Sequence, residues 1–309
     1  MWDLTPDAQG KLCALLAAMS WALALVLFKQ SGESVPPLAL NLFKNVVGLA
    51  LFGLTLLATA LLPALKPDAP VDFMSPPELL VLAVSGLMGI AVADTLFFAS
   101  LNRTGVQLNQ VVDCLYTPSM LLFAWLLAGE DITRAHWLGS ALIVAGILVA
   151  TSVKPPPNRT RGQIGAGILF GAGAMLAMAY SIALAKPILD ARPVLWTTAT
   201  RLTAGTCALA LWSLVTSSRR ATWAVFRPAP VWRRSIPAAV LGVYLSMLLW
   251  ISGFAWTTMA SAAILNQTSI VFALALAAVL LRERLSRRKI VAIGLASGGV
   301  VVATFGSGL

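Results

Sequence analysis

The chain has 309 residues, of which 59% are hydrophobic and 11% charged, and its mean hydropathy is +0.85. A soluble domain is about half apolar and about a quarter charged, so a water-facing fold is excluded. The net charge of +10 does not point to nucleic acid: Lys and Arg gather in short segments between apolar runs, with no aromatic-plus-basic face, which is how a membrane protein anchors itself.

In chain order, the opening MWDLTPDAQGK is acidic and lacks a cleavable-signal pattern, so residues 11–29 are expected to remain as a spanning helix. A span takes about 20 apolar residues. Further segments of that kind run over 37–62, 78–100, 105–128, 134–153, 163–186, 194–216, 234–256, 258–281 and 287–306. Pro36–Pro37, Pro76–Pro77, Pro155–Pro157 and Pro193 punctuate the joints. Only KPPPNRTRG, residues 154–162, reads as a linker between a first half, 1–153, and a second, 163–309. The stretch 217–233 mixes Trp and Arg, which suits the lipid headgroup level. The expected fold is an all-α membrane protein of ten transmembrane helices.

The halves are related. Shifting residues 106–151 by 153 positions lays them on 259–304 with ten of 46 pairs identical, among them Glu130 on Glu283 and Arg134 on Arg287. A shift of 157 lays Lys29 on Lys186, Lys44 on Arg201 and Gly48 on Gly205. Five helices per half is an odd number, so the second half enters the membrane from the opposite side. That is an inverted repeat, with a central site expected between the halves near the midplane.

The segments PSMLLFAWLLAGEDITRAHWLGSALIVAGILVAT and VFALALAAVLLRERLSRRKIVAIGLASGGVVVAT resemble the paired signature of the EamA family in the drug/metabolite transporter superfamily. The resemblance implies a ten-helix transporter of small metabolites, often an exporter of amino acids or related compounds. It also implies both termini inside the cell. The second repeat departs from the family pattern: Pro118 has Val271 as its counterpart, so the same kink is not assumed for the ninth helix.

Ionisable side chains inside spans are costly and mark functional sites. Lys44, Asp94, Asp113 and Arg201 qualify, with snorkelling as the plain reading of Lys44 and Arg201. At about 1.5 Å per residue, Lys44, Asp94 and Asp113 lie roughly 9–12 Å from the same membrane side, which suggests one charge-compensated cluster. Arg201 repeats the device in the second half, with Asn266 and Gln267 at its depth and Met247 where Asp94 would be. Asn109, Gln110, Asn266 and Gln267 are helix-bonding amides or substrate contacts. Trp21, Tyr180, Tyr244 and Trp250 are core packing or walls of a pocket for an amphipathic substrate. Glu130 and Glu283 each precede an Arg by four residues, which predicts ion pairs at two helix corners. The Gly167/Gly171 and Gly294/Gly298 steps predict close helix contacts.

The expected function is a secondary transporter in a bacterial inner membrane. It would move a small polar or amphipathic metabolite by alternating access, with proton coupling through Asp94 or Asp113. A passive facilitator and a non-transporting membrane interaction protein are the rivals. No catalytic constellation, metal-ligand cluster or cofactor motif is legible, and no P-loop supplies ATP-driven work. Of the 22 Lys and Arg, fifteen fall at the connections between helices 1–2, 3–4, 5–6, 7–8 and 9–10, and five on the other side. That bias places the rich side in the cytoplasm and both termini outside, opposite to what the resemblance implies.

Overall fold

The computed structural model describes residues 4–32, 37–62, 74–150, 159–215, 219–272, 276 and 287–305. Among them every element is helical. The helices are α1 (Pro6–Gly32), α2 (Pro37–Leu61), α3 (Pro76–Gly86), α4 (Ala93–Asp113), α5 (Tyr116–Leu126), α6 (Arg134–Ala150), α7 (Arg161–Ala191), α8 (Val194–Val215), α9 (Arg219–Ala224), α10 (Trp232–Ala239), α11 (Ser246–Trp256), α12 (Met259–Asn266) and α13 (Arg287–Phe305). Two π-helical turns, Leu87–Val92 and Val240–Leu245, join α3 to α4 and α10 to α11.

Four described stretches are long and apolar enough to cross a membrane: Leu38–Leu61, Pro76–Leu101, Arg161–Ala191 and Trp232–Trp256. Leu57, Trp125, Leu169, Leu211 and Val215 are more than half exposed. Large apolar side chains spread over the outside in this way match a surface solvated by lipid.

Why α4 is not one long rod can be read from its neighbours. A Cβ on Gly171 would meet both Val112 Cγ1, at 2.4 Å, and Ser100 Oγ, at 2.8 Å. Twelve residues of straight helix would separate those two positions by about 18 Å. The chain therefore reverses within α4, between Ser100 and Val112, while its hydrogen bonding stays helical. The sequence-based joint at residues 100–105 falls on this reversal.

The repeat is written into the packing. Gly10 of α1 abuts Trp256 and Thr257, and its counterpart Gly167 of α7 abuts Arg103 and Thr104, which are the counterparts of that pair. Gly48 packs on Val243 as Gly205 packs on Ile90. Gly253 closes on Ala14, and Gly171 on Ser100, so the small residue changes sides but the close approach survives. The π turns lie 153 residues apart, as do the helix breaks at Cys114–Leu115 and Gln267–Thr268. Asp7 at the start of α1 and Asp190 at the end of α7 line one surface groove, so these equivalent helices run in opposite directions. The repeat is inverted, and each half lays its first helix on the third and fourth helices of the other.

Several sequence-based expectations need correction. The helix-9 break occurs without a proline. In α5, Pro118 has no N–H to give the Cys114 carbonyl; around Gln267–Thr268 the chain reaches the same break through tightened bonds, Thr268 N–H to Leu265 O at 3.1 Å and Ile270 N–H to Gln267 O at 3.4 Å. Glu130 does not pair with Arg134. Gly129 takes φ +66°, open to a residue without Cβ, and turns the chain after α5. Glu130 is thereby aimed at the start of α12, where its carboxylate accepts the Met259 and Ala260 backbone N–H groups. It caps a helix of the other half, where the helix dipole favours an anion. The counterpart Glu283 lies outside the described residues. Among the described residues nothing lies within 4 Å of a Cβ on Gly294 or Gly298; Gly299 instead packs on the Gly139 carbonyl.

Candidate functional site

The helices enclose a cavity of about 230 Å³, small beside typical ligand pockets. Its lining comes in repeat pairs. Ala17 and Ala174, Trp21 and Met178, and Lys44 and Arg201 face it at one shift. Gly89 and Gly242, Ile90 and Val243, Asp94 and Met247, Phe97 and Trp250, and Asp113 and Asn266 face it at the other. A wall made of equivalent positions means that the cavity sits on the pseudo-two-fold axis. Both π turns contribute to it through Gly89–Ile90 and Gly242–Val243. A π turn widens the helix and commonly marks a functional position.

Lys44 is 8% exposed, so it does not snorkel. Its ammonium lies 3.5 Å from Asp94 Oδ2 and 3.2 Å from Asn45 Oδ1. Asn45 in turn donates from Nδ2 to Asn41 Oδ1 at 3.5 Å. The Lys44–Asp94 pair joins α2 to α4 inside the bundle. Asp113, expected in the same cluster, stands apart: it lines the cavity, but among the described residues no cation lies within ion-pair distance of it. Similar depth along a helix does not fix the direction a side chain takes around it.

Arg201 is 3% exposed. Its Nε donates to Ser85 Oγ at 2.8 Å and its Nη2 to Ser181 Oγ at 2.9 Å. Gly86 makes this placement possible, since a Cβ there would meet the Arg201 carbonyl oxygen at 2.1 Å. Gln267 ties the two helix breaks together: its Nε2 donates to the Asp113 carbonyl at 3.3 Å, and its Oε1 accepts from Thr117 at 3.4 Å. The sequence-based reading left Tyr116 out. Its hydroxyl accepts from Trp250 Nε1 at 3.1 Å, and both residues line the cavity.

Trp21, Asn266 and Gln267 line the cavity; Tyr180 and Asn109 do not. Tyr180 stacks edge-on against Phe123 at 5.8 Å, and Asn109 is buried in the helix packing. Lys186, at its helix end, pairs with Asp190.

Toward the end of the molecule that holds the N-terminus, an apolar cluster packs beside the cavity and shares Tyr116, Met178, Met247 and Trp250 with its lining. Leu82, Met120, Ile182, Leu189, Phe254 and Met259 are among its large buried members.

The EamA-like transporter family model matches residues 8–152 and 165–305. The chain belongs to the EamA-like transporter family. Two matched segments in tandem agree with the two-repeat architecture of the drug/metabolite transporter superfamily, and with the inverted packing above. A solved crystal structure, 20% identical, shares this transporter's fold over 97% of each chain with a TM-score of 0.78. A comparison with curated proteins gave no match. As a member of this family, the protein is an integral membrane transporter, and its substrate is a small molecule.

Proposed function

We propose that this transporter is a ten-span secondary carrier whose two five-helix halves, 1–153 and 163–309, alternate access to the cavity around Lys44, Asp94, Asp113 and Arg201. The observation that carries the reading is the pairing of the cavity wall. A site on the pseudo-two-fold axis of an inverted repeat is reached from either side when the halves exchange conformations. The closed apolar end and the buried charges are what one such state requires.

The cargo is a small polar or amphipathic metabolite of the size of an amino acid. Charged groups offer it polar contacts, and Trp21, Phe97 and Trp250 offer an apolar wall. Export from a bacterial cytoplasm is the direction family membership favours, and Asp94 and Asp113 are the carboxylates available for proton coupling. The loop charge bias supports an arrangement with both termini outside.

The test is transport by purified full-length protein in proteoliposomes, screened with labelled amino acids and related compounds, with and without an imposed pH gradient. Saturable uptake that is accelerated by the gradient is expected. Uptake indifferent to the gradient would leave a passive facilitator, and no uptake of any compound would leave a non-transporting protein.

A further inference from the structure

Among the described residues two acidic and two basic side chains line the cavity, and they are not balanced in the same way. Lys44 and Asp94 neutralise each other at 3.5 Å. The repeat places Arg201 where the first half has Lys44, and Met247 where it has Asp94. The second half thus keeps the cation and lacks the carboxylate. Among the described residues no acidic group lies within ion-pair distance of Arg201. Its guanidinium rests instead on two neutral hydroxyls, Ser85 and Ser181.

Hydroxyl dipoles do not cancel a charge, and a cation buried in low dielectric without a counter-anion is costly. The serines engage Nε and one proton of Nη2. A guanidinium has five N–H donors in a fixed fork, so the edge formed by Nη1 and the second Nη2 proton remains for a two-point contact. That edge matches the two coplanar oxygens of a carboxylate, and a carboxylate is the anion the repeat itself sets beside the equivalent cation, Lys44. Around it the second half adds the apolar surfaces of Met178, Met247 and Trp250, beside the polar side chains of Asn266 and Gln267 and the first half's Asp113.

We propose that Arg201 is the receptor for a substrate carboxylate, which occupies in the second half the place that Asp94 occupies in the first. The cargo class is therefore an amphipathic monocarboxylate. The inference deepens the transporter reading and rests on it for the word substrate, but the binding site can be tested without transport.

The measurement is ligand binding to the purified full-length protein in nanodiscs, read by tryptophan fluorescence. The probes are 3-phenylpropionate, phenylalanine and phenethylamine: carboxylate alone, carboxylate with ammonium, and ammonium alone. The two carboxylates are expected to bind and the amine to bind at least about tenfold more weakly, as loss of a charge-assisted pair implies. Preference for phenylalanine over phenylpropionate supports the site and adds an ammonium contact. Arg201→Gln should weaken carboxylate binding by a similar factor. Met247→Asp supplies an internal carboxylate, so it should abolish binding and raise the melting temperature; this variant decides the matter if Arg201→Gln fails to fold. Equal binding of the amine, unchanged binding in Arg201→Gln, no carboxylate binding to the parent protein, or full binding in Met247→Asp overturns the proposal. Carboxylate binding without transport would keep the site and remove the transport reading. Transport of amines without carboxylate binding would do the reverse.

Discussion

At the scale of single residues, the site turns on which buried charges find partners. Lys44 is a lysine inside an apolar helix, and its depth relative to Asp94 was legible from residue counting alone. The structure turns that depth match into a 3.5 Å pair. Removing one member of a buried pair strands the other, which costs about 3–5 kcal/mol. Asp94→Asn or Lys44→Gln should therefore lower the melting temperature markedly. The double variant should recover part of the loss, because partners in one network are not additive. Thermal unfolding of the purified variants gives the answer; full additivity of the two single effects would mean that the residues do not act as a pair. Asp113 shows where counting runs out. Depth gives the height of a side chain in the membrane, and the reversal within α4 decides its direction. Glu130 makes the same point: spacing along a helix suggested Arg134, but a left-handed glycine before it sends the carboxylate to another helix.

At the scale of elements, helix existence was legible because runs of about 20 apolar residues have few other folds. The irregularities were not. A π turn needs no marker residue, and the break at Gln267–Thr268 forms with no proline to announce it. What the irregularities share is position within the repeat. Close approaches between elements are the other constraint, and Gly86 is the tightest of them. An alanine there would place its Cβ 2.1 Å from the Arg201 carbonyl oxygen, which is backbone and cannot rotate away. Gly86→Ala should push α3 off α8, at about 1–3 kcal/mol for an overpacked contact, and displace Arg201 from Ser85. Gly53 has nothing within 4 Å of its would-be Cβ, so Gly53→Ala is the matched control and should leave stability unchanged or slightly raised. Melting temperatures of the two variants test this, and equal effects would show that the α3–α8 contact is not tight.

At the scale of the whole molecule, the inverted repeat makes a demand that the individual helices do not. On the proposed alternating mechanism, the apolar cluster of Ile182, Phe254 and Met259, packed beside the cavity toward the N-terminal end, is its closed gate. A carrier that alternates must open that end in its other state, and the packing of each half's first helix on the other half would couple the two. Phe254 is fully buried in the closed cluster. Its repeat counterpart, Leu101, lies by the reversal in α4, so the two positions serve opposite ends of the cavity. In a background with Cys13, Cys114 and Cys207 replaced, a cysteine at Phe254 should react slowly with a membrane-impermeant thiol reagent at rest. It should react several-fold faster when a transported substrate is present. The reagent must arrive from the side bearing the N-terminus, which is outside the cell in the proposed orientation, so labelling intact cells and inverted vesicles in parallel reports sidedness in the same experiment. Labelling confined to inverted vesicles would reverse the orientation drawn from the charges while keeping the gate. Transport that proceeds with Phe254→Cys never becoming reactive would remove this cluster as a gate, and with it the alternating exchange of the two halves.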